Sequence, residues 1–122
     1  MSHIRRLLER AQPGSRDGVE RHIRRGEKLR VLIESRYGVT HPRQWRAKHL
    51  RWVLEHGLAD LAPGTRYHYW RTARACAAVL GKWPDWEPHL RGPWIRPDGG
   101  KKISRTGRSP KMAYRTFADD SL

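Results

Sequence analysis

The chain has 122 residues, one cysteine, and 26 lysines and arginines against 12 aspartates and glutamates, a formal net charge of +14. That length suits one domain around one small core. The lone Cys76 excludes an intramolecular disulfide framework and a cysteine-rich zinc site. Arg5, Arg6 and Arg10 interrupt the opening residues, and no apolar run approaches the roughly 20 residues of a membrane span. The expectation is a soluble, cytoplasmic protein without a membrane partner.

From Ser2 to Ala11, Ile4, Leu7, Leu8 and Ala11 recur at helical spacing until Pro13-Gly14 stops the run, which predicts a short, loosely held first helix. Ser15 is a good N-cap, and Asp17 and Glu20 put negative charge in the first turn, where the helix dipole favours it. Val19, Ile23, Gly26, Leu29 or Arg30, Ile33 and Tyr37 then trace one stripe of a long helix over 16–37, with Arg21, His22, Arg24, Arg25 and Lys28 mostly outside it. Gly38 ends that helix.

Trp45, Leu50, Val53 and Leu54 supply the apolar face of a third helix over 43–56, stopped by Gly57. Thr65, after Pro63-Gly64, is the expected cap of a fourth helix over 66–81, whose alanine-rich second half favours helix strongly. Beyond Lys82, Trp83, Pro84, Trp86, Pro88, Pro93, Trp94 and Pro97 rule out a long helix and predict an ordered strap anchored by its aromatic rings. The sequence from Asp98 to Pro110 is glycine, lysine, arginine and serine without periodicity, which predicts a flexible basic arm. The fold expected is therefore all-α, a bundle of about four helices over residues 1–97 with an arm over 98–122.

Positive charge exceeds negative in every long stretch. Residues 1–40 hold ten cations and five anions, residues 41–90 eight and four, and residues 91–116 eight and one. Such a spread opposes folding by self-repulsion and calls for a polyanionic partner. Six lysines leave twenty arginines among the 26 cations, a bias suited to paired hydrogen bonds with phosphate and with guanine edges. GC-rich coding also raises arginine, so the total charge is the stronger argument.

On the fourth helix, a buried stripe of Trp70, Ala73, Ala77 and Leu80 would turn His68, Arg71, Thr72 and Ala75 outward, a surface able to enter a major groove. The orphan N–H groups behind Thr65 suit a phosphate oxygen. On the second helix, Arg21, Arg25 and Lys28 share a face at spacings of four and three, with Arg16 at the start. An ordinary solvated face is the plain alternative for both. Tyr67 and Trp94 could instead stack on exposed bases, which is the basis of an RNA-binding alternative. The tryptophan-rich strap suggests a third reading, a protein-interaction adaptor. The seven histidines lack the convergent spacing of a zinc site, so no metal or cofactor is expected. Cys76, in its alanine-rich setting, reads as a packing residue.

The run from Arg46 to Gly57, then Leu61-Ala62-Pro63-Gly64-Thr65 and a helix ending at Leu80-Gly81-Lys82, resembles the core-binding, SAM-like domain of tyrosine recombinases of the phage-integrase family. The likeness extends over about residues 1 to 97, with Leu61, Ala62 and Thr65 in the Leu, Ser and Thr places of the family's turn. The resemblance implies a clamp on one face of duplex DNA, with contacts from Ser15, Arg16, Arg21, Arg25, His68, Arg71 and Thr72. The family's separate catalytic domain has no counterpart in the roughly 25 residues after Pro97, so an enzyme is not expected. The reading is a non-catalytic duplex-DNA binder, an accessory or regulatory factor of a mobile genetic element, with a recombinase or another protein as a further partner. Its contact set is Ser15, Arg16, Arg21, Arg25, Lys28, Thr65, His68, Arg71 and Thr72, with Lys101, Lys102 and Arg105 of the arm.

Overall fold

Helical spacing of apolar residues builds α1, His3–Ala11, and α2, Arg16–Tyr37. The computed structural model describes residues 3–11 and 16–98, and among them every regular element is helical. Ser15 and the arm residues Lys101, Lys102 and Arg105 lie outside the described residues, as does the side chain of Arg16. The helix α1 is less loosely attached than its length suggests. Ile4 and Leu8 are fully buried where α1 meets α2 and α4, and burial of each such side chain contributes roughly 1.5–3 kcal/mol. Gly26 permits the approach, because a Cβ there would stand 2.6 Å from Ile4 Cγ2. Arg5 adds an ion pair from α1 to Glu20 of α2 at 3.0 Å.

The left-handed backbone at Gly38, with φ of 74°, ends α2 as the glycine predicts. A 3₁₀ turn, Pro42–Gln44, follows, where His41 Nδ1 accepts the Arg43 N–H at 3.1 Å. The helix α3, Ala47–Trp52, therefore starts later than 43. His49 is buried, and its Nδ1 accepts the Arg46 N–H at 3.0 Å, so the ring satisfies an orphan donor of the helix start. The chain then widens into a π turn, Val53–Gly57, with Leu58 N–H donating to the Val53 carbonyl at 2.9 Å. Arg66 of the next helix donates to the neighbouring Leu54 carbonyl.

The helix α4 spans Pro63–Val79. Ala62, not Thr65, is its N-cap residue, with Pro63 in the first helical position, where its missing N–H costs nothing. Thr65 thus lies inside the first turn. Beyond Gly81, α5, Trp83–Trp86, and 3₁₀ turns over Glu87–Leu90 and Pro93–Ile95 form the strap. Trp86 and Trp94 are both buried, and Trp94 Nε1 donates to the Leu90 carbonyl at 2.7 Å. Arg51 and Arg66 lie over the Trp94 ring at 5.7 and 5.8 Å. Gly92 is required beneath that ring, since a Cβ would come within 2.4 Å of it. One core results, filled from α1, α2 and α4 on one side and from α3 and the strap on the other.

Candidate nucleic-acid interface

The buried stripe of α4 is rotated from the one its apolar residues suggest. Thr72, Ala73, Cys76 and Ala77 are its buried residues, whereas Trp70 and Leu80 are only partly covered. Thr72 is fully buried and is therefore not an outward contact residue, which corrects the expectation for that position. A threonine is tolerated on this stripe because its hydroxyl is fully used. It donates to the His68 carbonyl at 3.2 Å and has lone pairs for His22 Nδ1 at 2.7 Å and Arg25 Nη1 at 3.4 Å.

His22 is the partner that the α2 pattern missed, because its ring is 5% exposed and points toward α4 rather than away from the core. The arrangement that satisfies every donor puts the His22 proton on Nδ1. Burial, together with Arg25, Arg71, His68 and Arg21, drives the imidazole down to a pKa of about 4, so Nε2 carries no proton at neutral pH. A neutral, hydrogen-bonded pair, His22–Thr72, thus joins α2 to α4 beneath a group of cations.

Those cations are Arg21, Arg25 and Arg71, with His68 beside them. Arg25 reaches Thr72, the chain neighbour of Arg71, and burial and then the charges of Arg71 and Arg21 lower its pKa. Burial, Arg25, Arg71 and Arg21 in turn lower that of His68. The lowering of Arg25 and His68 by the charges of Arg21 and Arg71 requires that the four groups share one neighbourhood. Among the described residues none of the three guanidinium groups has a carboxylate within ion-pair distance. Arg71 instead lies 6.0 Å above the Tyr67 ring.

Of the expected contact set, Arg21, Arg25, His68 and Arg71 come together across α2 and α4. Lys28 is exposed one turn further along α2, and Thr65 is exposed at the start of α4. Trp94, a candidate for stacking on bases, is buried to 2% exposure in the strap and offers no free face. Tyr67 is half-buried and stacks with Trp70 at 5.9 Å and 27°. Trp70 in turn meets the edge of Trp83 at 6.2 Å and lies under Arg74 at 5.1 Å. Cys76 is wholly buried and its thiol is pushed up to about 12, which leaves no thiolate for nucleophilic chemistry. Among the described residues no helix is long and apolar enough to cross a membrane.

Three guanidinium groups without an ion-pair partner among the described residues, over a neutral polar floor, can bind phosphate oxygens through paired hydrogen bonds. No protein-family model, no curated protein and no solved structure matches this chain.

Proposed function

We propose that the chain binds double-stranded DNA through the α2–α4 face, with phosphate neutralisation as the main source of affinity. The observation that carries this reading is the gathering of Arg21, Arg25 and Arg71 around His22–Thr72 without a carboxylate among the described residues. Holding like charges together lowers stability, and a polyanion relieves that cost. Arg21 and Lys28 of α2 would track the backbone, whereas His68 and Arg71 of α4 would supply any base preference. Lys101, Lys102 and Arg105 supply further cations by sequence. The resemblance to integrase core-binding domains supports the same reading and suggests an accessory role in a mobile element, without catalysis.

Fluorescence anisotropy with a labelled duplex at several salt concentrations tests the proposal. The logarithm of affinity should fall with the logarithm of salt, with a slope that diminishes by about 0.9 for each guanidinium removed. Arg71→Glu should weaken binding more than tenfold. An unchanged affinity for that variant sinks the assignment of this face.

A further inference from the structure

The cation group adjoins a second feature that interior duplex DNA would leave unused. Tyr67 is half-buried, with His68 at 5.5 Å, Trp70 at 5.9 Å and Arg71 at 6.0 Å beside its ring on the same helix. Trp70 also meets Trp83 and lies under Arg74, and with Tyr67 it makes an aromatic ladder on the first half of α4. Arg71 belongs to both features. Its guanidinium lies 6.0 Å from the centre of the Tyr67 ring one helical turn away, and it is the chain neighbour of Thr72, where Arg25 arrives from α2.

The charge balance also favours a particular phosphate. A backbone diester carries one negative charge, whereas a terminal phosphate monoester carries about 1.5 to 2 at neutral pH and presents three acceptor oxygens. Three guanidinium groups in one neighbourhood are better matched by the monoester. A strand end also exposes the flat face of its last base, which base stacking within the helix otherwise covers, and stacking of a base on an aromatic ring is worth about 1–3 kcal/mol.

We propose that this face recognises the phosphorylated end of a DNA strand, with Arg21, Arg25 and Arg71 on the terminal phosphate and the Tyr67–Trp70 ladder against the terminal base. The inference rests on the nucleic-acid reading of the face and narrows it to a class of substrate. Thr72 and His22 act as positioning residues, since they hold Arg25 from below and touch no ligand.

The test uses the full chain and three duplexes of one sequence: 5′-phosphorylated, 5′-hydroxyl, and a dumbbell closed by hairpins at both ends. The phosphorylated duplex should bind at least tenfold more tightly than the hydroxyl form at fixed salt. Arg25→Gln with Arg71→Gln should bring that ratio below about two, and Tyr67→Ala should weaken binding to both open duplexes while sparing the dumbbell. A nucleoside 5′-monophosphate should compete at lower concentration than inorganic phosphate. Equal affinity for the phosphorylated and hydroxyl ends, or a ratio that survives removal of both arginines, overturns the inference. Equal competition by inorganic phosphate removes the role of the ladder and overturns it as stated. Dumbbell binding is the separate readout of the backbone proposal. Its loss with the end preference intact would sink that proposal alone, and its persistence without an end preference would sink only the inference.

Discussion

Two sets of arginines on this molecule have the same composition and opposite circumstances. Arg21, Arg25 and Arg71 meet at the α2–α4 junction with no carboxylate in range among the described residues, and Arg25 is partly withdrawn from water. Arg30, by contrast, is on the same helix α2 but lies between Glu27 at 3.1 Å and Glu34 at 2.7 Å. Arg5 is paired with Glu9 and Glu20, Arg51 with Glu55, and Arg91 with Glu87. The contrast shows that a high net charge does not mark a site by itself. What marks it is the absence of compensation where cations converge, because a neutralised guanidinium has already spent its strongest hydrogen bonds.

The comparison breaks most readily at the uncompensated set. Arg25→Glu combined with Arg71→Glu should weaken duplex binding at least a hundredfold, roughly 3 kcal/mol, as measured by anisotropy titration. Next in size is a pH effect on stability beneath the same cations. The folded state holds His22 neutral down to about pH 4, whereas the unfolded chain protonates it near 6.5. The unfolded state therefore binds more protons in that window, and stability is full above pH 6.5 and declines as pH falls toward 4. The loss should amount to about 2–3 kcal/mol in urea denaturation, and His22→Gln should flatten that part of the profile. If the variant keeps the same slope between pH 6.5 and 4, the buried imidazole is not its source.

Thr72→Val sharpens the comparison by leaving every charge in place. It removes the acceptor for His22 and Arg25, so stability should fall by about 1–2 kcal/mol and duplex affinity by a few-fold, with the salt slope unchanged. A changed slope would mean that the valine had displaced a cation rather than loosened one. The smallest effect belongs to the compensated set. Arg30→Gln should alter affinity less than twofold, and a loss as large as that of Arg71→Gln would erase the distinction between the two sets.

Much of the fold is legible in local pattern. The bounds of α2, the stop at Gly38 and the proline-broken strap follow from spacing, from backbone conformations available to glycine, and from the N–H that proline lacks. The start of α4 is misread because Thr65 is a better cap by residue type than Ala62, whereas Pro63 in the first helical position decides the register. The π turn at Val53–Gly57 has no sequence signature that separates it from the end of an ordinary helix. Within the proposed face, Arg21, Arg25, His68 and Arg71 are legible as helix-surface positions because four- and three-residue spacings put them on definable faces. Thr72 and His22 are not, since a polar residue on an apolar stripe counts as exposed until its partner is known.

Local chemistry alone determined the helical class, the excess of cations and the candidate faces, because these depend on residue type and on repeats within one turn or two. Which cations stand uncompensated among the described residues was decided only when α2 packed on α4, fifty residues apart at the His22–Thr72 contact. A hydrogen bond between distant side chains, and the distance from a guanidinium to the nearest carboxylate, are properties of packing that no local periodicity encodes.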